Sequence, residues 1–151
     1  MSEPLYFEDV SVGDTWTSGS RTVTETDIVM FASMTGDYNP LHVDHAFAAE
    51  SPYRKPVAHG LLGVAWVAGL GNHAPLMKTE AFVAIREWKF LHPCFVGDTV
   101  HIHTECVEKP DETRRRGTVL WKRQLVHHDK RVLQEGIFES LVTKRDTSKK
   151  T

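Results

Sequence analysis

The sequence predicts an α+β domain in which an antiparallel sheet wraps around a long buried central helix. Two observations carry this. From Gly60, the run LLGVAWVAGLG is apolar on every side over about three helical turns, and a helix that is hydrophobic all round is normally a buried one. Beyond it, residues 82–92, 98–108, 116–128 and 131–144 are rich in Val, Ile, Phe, Trp and Thr, with turn chemistry between them at HPCFVGD, KPDET and HHDK. A buried helix followed by a four-strand antiparallel meander is a sheet packed around that helix.

Taken in order, the elements support a single domain over residues 1–151, since no repeat or low-complexity linker divides them and only a tail at about 145–151 is polar enough to fray. VGDTW, from Val12 to Trp16, is a turn feeding a strand, and RTVTETD continues extended. Thr26 or Asp27 then caps a helix through IVMFASMTG, where Ile28, Phe31 and Ala32 fall at helical spacing and Gly36 terminates it. Asp37 to Pro40 is a loop, and a second short helix runs from about Asp44 to Glu50. Within the apolar helix, Gly63 and Gly69 lower helix propensity, which points to close packing against a neighbour. Val100, Ile102, Thr104 and Cys106 alternate with His101, His103 and Glu105, the period of two of a strand.

The composition, 40% hydrophobic and 25% charged, is that of a globular domain. A formal net charge of −2 carries no global signal for nucleic acid or an anionic membrane. The longest near-apolar run, Gly60 to Gly71, is far below the roughly 20 residues of a membrane-spanning helix. The start MSEPLYFEDV lacks the basic and apolar regions of a secretion signal, so a reducing, cytoplasmic setting is expected. Cys94 and Cys106 are too few for a disulfide scaffold and outside any CxxC pattern, so both read as structural.

Two stretches carry candidate chemistry. In GDYNPLH, from Gly36 to His42, Asp37 and His42 stand five apart across a turn and can point into one cleft. There an aspartate and a histidine can share the work of binding and deprotonating a water, with Asn39 orienting one of them or a substrate oxygen. Turn chemistry also accounts for much of this stretch, with Asp37 as a turn residue and His42 as a satisfied polar group. In KPVAHGLL, Gly60 stands where a loop enters the apolar helix. Its free N–H at a helix N-terminus, with no side chain in the way, suits a developing oxyanion. The plain alternative is that Gly60 relieves crowding.

Other chemistries find less support. His42-x-Asp44-His45 does not offer three ligands on one face if a helix begins at Asp44. His101-x-His103, beside Glu105, is two imidazoles on an exposed strand face, so no metal is expected. A nucleophile-elbow motif is missing, and so are GxGxxG and P-loop patterns. The arginines at 114–116 read as a solvated strand start or turn, with phosphate binding as the alternative.

FEDVSVGDTW, RTVTETDIVMFASMTGDYNPLHVDHAFA, PVAHGLL and FLHPCFVGDTV, in that order, resemble the MaoC-like dehydratases, which include (R)-specific enoyl-CoA hydratases. The resemblance runs from about Phe7 to Val142. It implies a hot-dog fold, and it implies that Asp37 and His42 hold the catalytic water, that Asn39 helps position the site, and that Gly60 offers its N–H to a thioester carbonyl. The implied reaction is hydration of a trans-2-enoyl-CoA to an (R)-3-hydroxyacyl-CoA, or the reverse, in fatty acid metabolism, with no cofactor. The implied partners are acyl-CoA or acyl carrier protein and a second copy of the chain, with sheets joined edge to edge. Arg54, Lys55 and Lys89 are candidates for the coenzyme phosphates. Trp66 either borders the acyl pocket, limiting it to short chains, or packs against the sheet. An acyl-CoA thioesterase and a non-catalytic acyl-thioester-binding protein remain the alternatives.

Overall fold

The computed structural model describes residues 3–145, so most of the polar tail lies outside the described residues. After a single 3-10 turn at Phe7–Asp9 come β1 (Thr15–Thr17), β2 (Arg21–Thr22) and α1 (Glu25–Thr35). The cap of α1 is Thr24 rather than Thr26 or Asp27. Thr24 Oγ1 accepts from the Asp27 N–H at 3.2 Å, and Asp27 accepts from the Thr24 N–H at 2.8 Å. Asp27 is the third residue of a reciprocal capping box, so the cap stands two or three residues earlier than expected. Gly36 ends the helix at φ 79°, as its freedom in the left-handed region allows.

The segment expected to be a loop holds a short helix, α2 (Pro40–Val43). Asn39 Oδ1 accepts from the Leu41 N–H at 3.0 Å, and Pro40 takes the first helical position, where a missing N–H costs nothing. Asp44 then caps α3 (His45–Glu50), accepting from the Phe47 N–H at 2.9 Å.

After α4 (Gly60–Gly71) come β3 (Thr79–Phe90), β4 (Thr99–Glu108), β5 (Arg116–His127) and β6 (Val132–Thr143). The sheet is antiparallel in the order β1-β4-β5-β6-β3, with β2 also on β4. The expected four-strand meander is therefore corrected: β4, β5 and β6 form one, but β3 joins the far side of β6. Turn chemistry marks where a strand ends without saying which edge it joins. The segment between β3 and β4 instead crosses the end of the sheet, and its Cys94 carbonyl accepts from the Ala58 N–H at 2.8 Å, just before α4.

The sheet curves around α4, which packs on β4 and β5 and buries Leu62, Gly63, Trp66, Val67 and Gly71. The expectation of a wholly buried helix is corrected as well. Leu61 is 65% exposed, and Ala65, Ala68 and Gly69 are also exposed, because one sheet covers one face only. No helix among the described residues is long and apolar enough to cross a membrane.

Between helix and sheet lie Ile102, Val119, Trp121, Leu125, Leu133 and Phe138, with Trp16 edge-on to Trp121 at 5.9 Å. Both cysteines are free and buried. The N-terminal turn is tied down by Lys109, whose ammonium donates to the carbonyls of Phe7 (2.8 Å) and Val10 (2.7 Å). It closes the core where Phe7 packs on Gly117, so near that a Cβ there would meet the ring at 2.3 Å. Gly117→Ala should therefore destabilise the protein by about 1–3 kcal/mol through overpacking, read as a lower denaturation midpoint in urea with an unchanged slope.

Candidate active site

The ends of α1 and α2 and the start of α4 meet in one place. The left-handed exit at Gly36 turns the chain so that Asp37 follows immediately, and the Asp37 carboxylate accepts from the Asn39 N–H at 3.2 Å. One turn later His42 sits at the C-terminal end of α2. Its Nδ1 lies 2.7 Å from the Val57 carbonyl oxygen. A carbonyl only accepts, so Nδ1 carries the hydrogen and Nε2 keeps a lone pair.

The third group is the ring of His59, the residue before α4, which is 3% exposed. Its Nε2 lies 3.0 Å from the Asp37 carbonyl oxygen, and by the same reasoning donates to it. The His59 ring stacks on His42, with centroids 3.8 Å apart and planes at 27°, and packs on Phe31 at 4.9 Å. His59 Nδ1 is buried and has no hydrogen-bond partner. The side-chain ligand atoms of Asp37, His42 and His59 all fall within 4.8 Å of one another.

Such a trio suggests a metal site, but the rings do not suit one. A metal bound by two imidazoles lies in both ring planes at about 2.0–2.1 Å from each nitrogen. Planes stacked this closely and tilted this little do not meet within that distance.

Gly60 opens α4, so its N–H has no acceptor within the helix. Two side chains of the sheet frame it. Gln134 of β6 donates from Nε2 to the Gly60 carbonyl at 3.0 Å, while its Oε1 accepts from the Trp88 indole at 3.2 Å. The Phe90 ring at the end of β3 stands where a Cβ on Gly60 would be, at 2.9 Å. Two cavities flank this point and share His42, Gly60 and Phe90. One, about 330 Å³, is walled by Phe31, Thr35, Asp37, His59 and Leu61; the other, about 340 Å³, extends past Tyr53, Leu91, Cys94 and Gln134. Cys94 in that wall is no nucleophile, since burial and the nearby Asp98 push its thiol up to about 12.

The structure thus brings Asp37, His42 and Gly60 to one cleft. Asn39 lines neither cavity: its N–H donates to the Asp37 carboxylate and its side chain caps α2. Trp66 is in the core, 6% exposed, with the Arg21 guanidinium over its ring at 5.1 Å, and lines neither cavity. Arg54 and Lys55 follow Tyr53 on the exposed surface, Lys55 with its ammonium 4.4 Å from the Phe95 ring centroid, and Lys89 stands exposed beside Phe90. Sequence reasoning missed His59, Gln134 and Phe90. His59 stood in the same motif as Gly60 and had a signal. Gln134 had none, because a polar residue in a strand reads as solvent-facing until the helix above it is in place.

Residues 11–123 match the model of the MaoC like domain. The chain is 36% identical over 112 residues to the 3-hydroxybutyryl-CoA dehydratase of Methylorubrum extorquens, covering 74% of this chain and 69% of that protein. It is 34% identical over 110 residues to Protein MaoC of Klebsiella aerogenes, covering 73% of this chain but only 33% of that protein's length. Among solved structures, the monoamine oxidase regulatory protein of Archaeoglobus superposes with a TM-score of 0.88 at 34% identity, covering 95% of this chain and 97% of that one. A Mycobacterium tuberculosis protein described as a double hot-dog fold superposes at 0.82 with 21% identity, over 98% of this chain and 47% of its own, a likeness of fold alone. With well over half of its length matched and its sheet curved around α4, the chain belongs to the MaoC-like dehydratase family and has the hot-dog fold.

Proposed function

We propose that the chain hydrates a trans-2-enoyl-CoA to the (R)-3-hydroxyacyl-CoA, or catalyses the reverse dehydration. The observation that carries this reading is the convergence of the Asp37 carboxylate and the His42 ring beside the unpaired N–H of Gly60. Named relatives with this chemistry, including the (R)-specific enoyl-CoA hydratase of Rhodospirillum rubrum at 34% identity over 96 residues, support it and are the sole support for the (R) product.

In this reading the thioester carbonyl points at the Gly60 N–H, where the N-terminal end of the α4 dipole stabilises the enolate oxygen. The lone pair on His42 Nε2 and the Asp37 carboxylate hold the water. Its oxygen bonds to C3, the carbonyl oxygen gains negative charge, and the proton taken from the water is returned to C2. The conjugated thioester is the electron sink, so the chain's own residues suffice for each step. His59 and Asn39 act on the backbone of the Asp37 loop. Arg54, Lys55 and Lys89 are the proposed partners of the coenzyme phosphates, being exposed and close in sequence to Tyr53 and Phe90, which line the second cavity. Trp66 lines neither cavity, so this reading gives it no part in selecting the acyl chain.

A homodimer is part of the same proposal. β3 is an edge strand on which Phe82, Val83 and Ile85 are 56%, 50% and 40% exposed, and an unprotected apolar edge is a template for pairing with a second copy. Sedimentation analysis should give a dimer for the wild type and a monomer for Val83→Lys.

Crotonyl-CoA hydration, followed as loss of the conjugated thioester's absorbance, tests the chemistry. Asp37→Asn and His42→Ala should each lower kcat by about 10²–10⁴-fold. Undiminished turnover in both would remove the assignment, and release of free CoA without hydration would favour the thioesterase. The amide of Gly60 is tested by a pair. Gly60→Ala adds a Cβ and keeps the N–H, whereas Gly60→Pro also deletes the N–H at a position where helices tolerate proline. Gly60→Pro should fall below Gly60→Ala in kcat by about 10²–10³-fold.

A further inference from the structure

A third cavity, about 220 Å³, lies at the other end of α4, away from Asp37 and His42. Its walls are mostly apolar, with Met77, Phe82, Trp121 and Phe138 among them. Two buried polar side chains also line it, Arg123 of β5 at 8% exposure and Ser140 of β6 at 6%. Both present hydrogen-bond donors. Arg123 donates from one terminal nitrogen to the Gly71 carbonyl at 3.1 Å, while its Nε is buried with no partner. A guanidinium has five N–H donors, so one carbonyl leaves most of them open. The Ser140 Oγ already accepts from the Trp121 indole at 2.8 Å, which leaves its own hydrogen to be donated.

Arg123 has a structural use, since its contact with Gly71 satisfies the end of α4, where the helix dipole is negative. That explains one donor and offsets part of the charge. No carboxylate among the described residues answers the rest, and burial pulls the pKa of Arg123 down to about 10. The guanidinium also lies over the Phe138 ring, 5.1 Å from its centroid, but a ring and one carbonyl are no counter-charge for a cation taken from water, so the site is electrostatically incomplete.

We propose that this cavity binds a carboxylate on an apolar stem, with Arg123 and the Ser140 hydroxyl holding the carboxylate and the apolar walls holding the stem. Two sources share that chemistry. One is a free medium-chain fatty acid. The other is the far end of an ω-carboxylated acyl chain, and this source alone rests on the hydratase reading. The exposed face of α4 formed by Leu61, Ala65 and Ala68 runs from Gly60 to the cavity. Eight helical residues make that path about 12 Å long.

Isothermal titration calorimetry of octanoate against its neutral analogue octanol tests the proposal directly and needs no turnover. The wild type should bind octanoate at least about tenfold more tightly, and Arg123→Met should abolish the preference. Methionine keeps an unbranched apolar stem in place of the arginine's own, at the loss of the bond to the Gly71 carbonyl. Should that variant nevertheless fail to fold, Ala68→Phe fills the cavity from the exposed face of α4 and should abolish octanoate binding. Equal binding of the two ligands by the wild type overturns the proposal, and so does octanoate binding unchanged in both variants. Displacement of octanoate by ω-carboxyoctenoyl-CoA but not by octenoyl-CoA assigns the site to the acyl chain. Displacement by neither assigns it to a free acid.

Discussion

The close approach of α4 to the sheet is the constraint on which the rest of this structure depends. Gly63 lies so near β6 that a Cβ there would stand 2.2 Å from Gln134 Nε2, and a Cβ on Gly71 would stand 3.0 Å from the Arg123 guanidinium. With those two side chains absent, the helix sinks onto the sheet far enough for strand side chains to reach its backbone at both ends. Gln134 takes the Gly60 carbonyl at the start and Arg123 the Gly71 carbonyl at the finish. The helix is thereby fixed along its axis as well as against the core. Its free N-terminal N–H groups stay at one point in the cleft, which preorganised stabilisation of an oxyanion requires.

The loop that faces this helix is held by main-chain contacts rather than by charge pairs. His42 is oriented by the Val57 carbonyl, and Asp37 is held through its own carbonyl by His59. A carbonyl partner selects a tautomer without bringing a second negative charge, so the Asp37 carboxylate keeps its capacity for a water. The stacked imidazoles then act as one block. His42 cannot swing without meeting His59, which is buried against Phe31. A buried, unpaired Nδ1 on His59 has a cost of about 1–3 kcal/mol, offset by the rigidity of the well-packed surroundings.

Much apolar surface is left uncovered in the single chain. One stretch of it runs along β3 through Phe82, Val83, Ile85 and Phe90, and another lies on α1 at Val29, Met30 and Met34, while Leu61 is exposed at the start of α4. The candidate cleft and the Arg123 cavity stand at the two ends of α4, and the proposed dimer edge reaches both, through Phe90 at the first and Phe82 at the second.

The sequence by itself determined most of the elements and put forward the candidate site. Strand periodicity, the capping and terminating residues, and the pairing of GDYNPLH with AHG placed four long strands, α1, α3 and α4, and brought Asp37, His42 and Gly60 forward together. These features are legible because they are local: φ at Gly36, alternation along β4 and the free N–H of a first helical residue are set by the nearest neighbours. Tertiary structure decided what depends on distant residues. It put β3 beside β6, covered only one face of α4, moved Trp66 into the core under Arg21, and gave His59 and Gln134 their roles. A hydrophobic pattern reports that a surface avoids water, but which surface covers it, and from which strand a side chain reaches a helix end, is settled only when residues 74 positions apart, such as Gly60 and Gln134, meet.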